Sequence, residues 1–192
     1  MRGLLVVDVQ NDFCEGGALG VDGGATVARG ITEFIKDDGA NYRVVIASRD
    51  WHDADNDNGG HFATKGEAPN FVTTWPVHCV AGTTGAEYHP ELTLPESAIH
   101  VKKGQGIPAY SMFEGQSDDG RTVEEILTEA GVTEVDVVGI ATDHCVRASA
   151  LDARGVGLGV RVINDLVAAV APETEKTARA EMNQAGVVFA DN

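Results

Sequence analysis

The chain has 192 residues and carries 14 lysines and arginines against 30 aspartates and glutamates, a formal net charge of −16. That length suffices for one domain with a sizeable core, and residues 1–192 are read as a single domain. The acid excess argues against nucleic acid or an anionic membrane as a partner, because both demand basic patches; it suits a soluble acidic protein, or adaptation to high salt.

Residues 3–7 form a short apolar run rich in Leu and Val, which reads as a strand buried on both faces. Asp8 cuts the run short, so it is neither a signal peptide nor a membrane span. Residues 25–36 carry Ala28, Ile31 and Ile35 at helical spacing. A second strand is expected at 43–47, and a weaker one at 98–101. Between them, residues 51–95 show little periodicity, and a loop that long in a compact domain is usually functional. Thr122 and Glu125 make a capping box, with Val123, Ile126, Leu127 and Ala130 following at helical spacing and Gly131 as a stop. Strands are expected at 134–140, 159–163 and 187–190, and a helix at 172–185, opened by Pro172 and closed before Gly186. Alternating strands and helices predict a three-layer α/β/α domain with a mostly parallel central sheet.

Ligands in such sheets sit beyond the carboxyl ends of the strands. Three chemically loaded segments fall there: Asp8 after the first strand, Asp50 and His52 after the second, and Asp143, His144 and Cys145 after the strand ending at Ile140. The last segment reads strand, tight turn, helix, with Val146, Ala150 and Ala153 facing the sheet. Cys145 would then lie in the first helical turn, where free N–H groups and the helix dipole favour a thiolate and can hold an oxyanion. The competing reading is an inert core cysteine. Cys14 and Cys79 have no such setting; scattered and odd in number, the cysteines suit free thiols and a cytoplasmic protein. A thiolate mechanism needs a base and a positive charge nearby. Asp8 is either that base or a turn-capping residue, and spacing alone does not choose between Lys102 and Lys103 for the charge.

Asp50 and His52 are two apart at a strand end and so share a face. His61 and His78 follow in the long loop. One carboxylate and three imidazoles suit Zn²⁺, Fe²⁺ or Mn²⁺ and not Ca²⁺. His89 and His100 lie outside this segment and read as structural. Asp53, Asp55 and Asp57 resemble the start of a calcium loop, but the sixth and twelfth positions hold Asn58 and Thr64 where Gly and Glu are required.

Taken together, VVDVQNDFCEGG, RDWH, WPVHCVAGTTGAEYHP, KKGQG, AYSMFEG and GIATDHCV resemble the nicotinamidase/pyrazinamidase family of the isochorismatase-like cysteine hydrolases. The resemblance spans Met1 to about Arg154. It implies the isochorismatase-like hydrolase fold and hydrolysis of nicotinamide or pyrazinamide through a Cys thioester, in NAD salvage. By that resemblance Asp8 is the general base, Lys103 (the lysine next to Gly104) the triad lysine and Cys145 the nucleophile. Asp50, His52, His61 and His78 would hold one divalent metal ion. Phe13, Trp75, Tyr110, Ile140 and His144 would bind the ring. Ile140–Ala141 would be a cis peptide, with the Ala141 and Cys145 N–H groups forming the oxyanion hole. The assembly is expected to be a monomer or homo-oligomer.

Another amidase of the same superfamily is the main alternative. An aspartate-nucleophile phosphatase would want a second Asp where Gln10 stands, and gives Cys145 no role. A non-catalytic metal-binding domain would explain the histidines but neither Asp8 nor Cys145.

Overall fold

In the computed structural model, which describes residues 1–192, the first apolar run sends alternate side chains to opposite layers. It forms β1 (Arg2–Val7) at the middle of a seven-stranded sheet. Leu4 and Val6 meet Val27, Ala28, Ile31 and Phe34 of α1 (Gly24–Asp38) on one face. Leu5 and Val7 point the other way. There they join Ile126 and Leu127 of α2 (Val123–Glu129), Ala150 and Ala153 of α3 (Arg147–Gly155), and Ala178 and Met182 of α4 (Pro172–Gln184). Burying a side chain such as Ile31 or Leu5 contributes about 1.5–3 kcal/mol, so both layers are held by the pattern that defines the strand.

The remaining strands are β2 (Val44–Asp50), β3 (Ile99–Lys103), β4 (Gln116–Ser117), β5 (Glu134–Ile140), β6 (Gly159–Ala168) and β7 (Val188–Ala190). Their order is β4-β3-β2-β1-β5-β6-β7, parallel throughout except for β4 against β3. The expected three-layer architecture is therefore present. No helix is long and apolar enough to cross a membrane. β2 and β5 flank β1 on opposite sides, which makes the carboxyl end of β1 a topological switch point.

Four local differences from the sequence reading matter. β2 continues through Asp50 instead of ending at residue 47, because its pairing with β3 carries on to Asp50 opposite Lys103. β6 runs on to Ala168 past a register shift, where apolar periodicity lapses at Asn164 and Asp165. β4 is only two residues long, too short for any pattern to register. Cys145 is not in the first turn of an α-helix: Thr142–Val146 form a π-helical turn that precedes α3.

Candidate active site

Sheet geometry delivers the first groups. Asp8 follows β1 with φ 47°, Asp50 and Lys103 end the adjacent strands β2 and β3, and Cys145 follows β5. All four are buried, and Asp8 and Lys103 have no solvent exposure. Lys103 Nζ lies 2.9 Å from Asp8 Oδ2 and 3.8 Å from Cys145 Sγ, and it also contacts Asp50 Oδ1. Ser48 Oγ donates to Asp8 Oδ1 at 2.7 Å, fixing the carboxylate. Lys102, the alternative lysine, points outward and pairs with Asp118. Gly104 explains the adjoining position: its φ is +83°, and a Cβ there would lie 2.5 Å from the His52 ring.

Burial and charge act against one another in this cluster. Burial raises the Asp8 carboxyl above its ordinary value, with the Asp50 charge adding to the effect against Lys103. Burial would also raise Asp50, but the Lys103 ammonium and the His52 and His78 contacts outweigh it and hold that carboxyl well below the usual range. Burial would lower Lys103, yet Asp50 and Asp8 keep it firmly charged. Burial lifts the Cys145 thiol well above its ordinary value, and Asp8 and Asp50 reinforce this against Lys103. Burial and the two carboxylates thus favour the thiol, against the thiolate that a helix start would favour. A sulfur in this setting can attack only by losing its proton, and Asp8, with its carboxyl raised by burial, is a group chemically suited to accept one.

On the other side of Asp50 stand three buried imidazoles, whose ligand atoms lie within 4.8 Å of one another. His52 Nδ1 is 2.8 Å from the Gly104 carbonyl and His78 Nδ1 2.8 Å from the Pro76 carbonyl, which turns both Nε2 atoms inward. Those Nε2 atoms are 3.5 and 3.6 Å from Asp50 Oδ2. His52 Nε2 and both ring nitrogens of His61 are buried without a hydrogen-bond partner. Burial above all pushes the His61 imidazole down to about 3, so it stands neutral with a free lone pair. Orphaned nitrogens beside a carboxylate fit a divalent metal. His89 and His100 are elsewhere: His89 Nδ1 accepts from the Glu91 N–H and His100 contacts Tyr88.

A cavity of about 500 Å³ joins the two halves. Every residue expected to bind the ring, Phe13, Trp75, Tyr110, Ile140 and His144, lines it, as do Cys145, Asp50, His61 and His78. Trp75 Nε1 donates to the Tyr110 hydroxyl at 3.0 Å, and Trp75 stands edge-on to His144 with centroids 5.2 Å apart. Ile140–Ala141 is a cis peptide, and the Ala141 N–H, at the cavity wall, donates to no backbone acceptor.

Sequence reasoning gave no role to several groups that hold this site, Asp143 among them although its segment was singled out. Gln10 clamps Asp50 through its backbone N–H and carbonyl, at 2.8 and 2.9 Å. Asn58 ties the acidic loop together by accepting from Asp53 N and Gly106 N. Asp143 accepts from Val170 N and Ala171 N and from the Thr174 hydroxyl, anchoring another stretch of the cavity wall. Gln10 and Asp143 lie inside quoted motifs; what hid them is that each acts on backbone from a distant segment. Phe71, at the cavity mouth, sits in a loop without periodic signal.

Comparison with known proteins bears on the family of the whole chain. The family profile described as the isochorismatase domain matches residues 2–192. A nicotinamidase/pyrazinamidase from Mycobacterium tuberculosis is 47% identical over 187 residues, covering 97% of each chain. A zinc-complexed pyrazinamidase from Pyrococcus horikoshii superposes with a TM-score of 0.85 at 37% identity, over 100% of this chain and 99% of that one. A nicotinate complex of PnC1 from L. infantum gives 0.82 at 33% identity, over 100% and 92%. The chain therefore belongs to the isochorismatase family and to the nicotinamidase/pyrazinamidase group within it.

Proposed function

We propose that the protein is a nicotinamidase that also accepts pyrazinamide, converting the carboxamide and water into the carboxylic acid and ammonia. The single observation that carries the reading is the meeting of buried Lys103 and Asp8 with Cys145, which lines an aromatic cavity that His61 and His78 also line.

In this reading the substrate ring lies among Phe13, Trp75, Tyr110, Ile140 and His144, with its carboxamide carbon over Cys145. Asp8 accepts the thiol proton as Sγ bonds to that carbon. The carbonyl oxygen becomes an oxyanion held by the Ala141 and Cys145 N–H groups. Asp8 returns the proton to the nitrogen, the C–N bond breaks, and ammonia leaves a Cys145 thioester. Water then attacks the thioester carbon while Asp8 takes its proton; the C–S bond breaks, the acid departs and the thiol is restored. Lys103 keeps the buried carboxylates and the developing thiolate balanced. Asp50, His52, His61 and His78 would hold the metal, read as Zn²⁺ or Fe²⁺ with Mn²⁺ also compatible. When bound, it supplies a Lewis-acidic position for the ring nitrogen and its waters.

Residues 1–192 are read as one hydrolase domain, supported by a single sheet containing all seven strands. Three free thiols support a cytoplasmic setting. The test is ammonia release from nicotinamide with elemental analysis of the same sample: turnover with about one divalent metal per chain supports the reading, and a metal-loaded, folded protein without turnover refutes it.

A further inference from the structure

We infer that Asp12 is a positioning residue that joins the ring-binding wall to the metal ligand His78. The inference rests on the metal site proposed above.

Asp12 lies between Gln10, which clamps Asp50, and Phe13, which lines the cavity. Its carboxylate leaves this segment and reaches across to a loop 67 positions away, where Oδ2 accepts the Cys79 N–H at 2.7 Å. Cys79 follows His78 directly and has φ 46°, a left-handed conformation that non-glycine residues seldom adopt unaided. Two clamps hold it: Asp12 on the Cys79 N–H and the His52 N–H on the Cys79 carbonyl, at 3.0 Å. The peptide between His78 and Cys79 is thus fixed by Asp12, and with it the start of the His78 side chain. The other Asp12 oxygen accepts from Ala18 N at 3.3 Å, and the Asp12 carbonyl accepts from Leu19 N at 2.8 Å. Ala18 and Leu19 both line the cavity. One residue therefore organises a stretch of the substrate wall and the backbone of a metal ligand.

The neighbourhood leaves room for nothing else. A Cβ built on Gly85 would lie 2.5 Å from the Asp12 carboxyl carbon, so glycine is what lets the carboxylate pass beneath that loop. Gly85→Ala is accordingly a way to displace the carboxylate while its chemistry stays intact. Asp12→Asn retains one oxygen acceptor but puts an NH₂ donor against a second N–H.

Supporting groups around metal ligands are typically worth about 10–100-fold in affinity. The experiment measures Zn²⁺ affinity by chelator competition, without substrate, for wild type, Asp12→Ala, Asp12→Asn and Gly85→Ala, with circular dichroism of each and kcat and KM for nicotinamide. The expected result is a roughly 10–100-fold weaker Zn²⁺ affinity in Asp12→Ala, with a smaller loss in Asp12→Asn and in Gly85→Ala. KM should rise in zinc-saturated samples, because the Ala18–Leu19 wall is released as well. A merely structural role would lower thermal stability without moving Zn²⁺ affinity or saturated KM, and that pattern overturns the inference. If Asp12→Ala does not fold, Asp12→Asn and Gly85→Ala decide, and wild-type affinity in both overturns it. Wild type failing to bind Zn²⁺ at all would overturn the metal site and this inference together, whereas tight wild-type binding with no effect in folded variants overturns this inference alone.

Discussion

Lys103 Nζ sits 3.8 Å from Cys145 Sγ, and neither side chain was brought there by local sequence. Lys103 ends β3 and Cys145 follows β5, with β2 and β1 lying between those strands in the sheet. Asp8, at the end of β1, bridges the gap and holds the lysine at 2.9 Å. A buried ammonium and a buried carboxylate each pay a desolvation penalty unless paired. In the proposed reaction Lys103 stays charged throughout, and the proton moves between the Cys145 thiol and the Asp8 carboxylate.

Replacing Asp8 by Asn separates proton acceptance from thiol ionisation. An amide cannot take the thiol proton in the transition state, so kcat should fall by about 10²–10⁴-fold. The Asp8 charge also opposes ionisation of Cys145 at rest, so iodoacetamide labelling should not slow in Asp8→Asn. The wild-type thiol is raised, hence protonated below its titration and ionised only as pH climbs through it. Its labelling rate should therefore keep rising with pH beyond the ordinary thiol value of about 8.5. A plateau near neutral pH, or unchanged turnover in Asp8→Asn, would contradict the assignment.

His52→Ala and His78→Ala should each lower metal occupancy in purified protein. Thermal stability measured with added Zn²⁺ should fall too, since a bound metal stabilises only the folded form. Full occupancy in both variants, by elemental analysis, would exclude this ligand set.

Benzamide keeps the shape and scissile carboxamide of nicotinamide but lacks the ring nitrogen. A site built for a polar atom discriminates strongly against its absence. We expect kcat/KM for benzamide to be lower by at least about two orders of magnitude, while pyrazinamide stays a good substrate. Equal rates for benzamide and nicotinamide would remove the metal from ring orientation.

The net charge of −16 makes salt a lever on stability. Screening should relieve self-repulsion, so the melting temperature should rise as NaCl approaches about 1 M, where the Debye length is about 3 Å. A flat melting temperature over that range would count against adaptation to high salt.

The groups proposed to do chemistry were legible because each sits at a place that topology marks. Asp8, Asp50 and Cys145 were found from the carboxyl ends of apolar runs, and the histidines from an aperiodic loop. Burial on both faces made β1 and β5 readable, since residues 3–7 and 135–140 are buried at every position and Asp136 alone among them is charged. Lys103 could be separated from Lys102 only by resemblance. The structure supplies the physical reason: β3 alternates, so Lys103 is buried toward Asp8 while Lys102 faces Asp118. The supporting residues were less visible, because Asp12 and Asn58 act through backbone N–H groups of other segments, and no pattern of side chains encodes such partners. The π-helical turn at Thr142–Val146 escaped for a related reason. Its composition does not differ from the first turn of an ordinary helix, and only its bonds, such as Val146 N to Ala141 O, define it.

The most direct measurement is ammonia release from nicotinamide by Cys145→Ala beside wild type, at matched metal content and with the fold checked by circular dichroism. The sulfur is buried among apolar neighbours and Lys103, and its loss removes the atom proposed to form the thioester while leaving every proposed metal ligand in place. Cys145→Ala is expected to release ammonia only at the uncatalysed background, with wild-type metal occupancy. Substantial turnover by a folded, metal-loaded Cys145→Ala would contradict it.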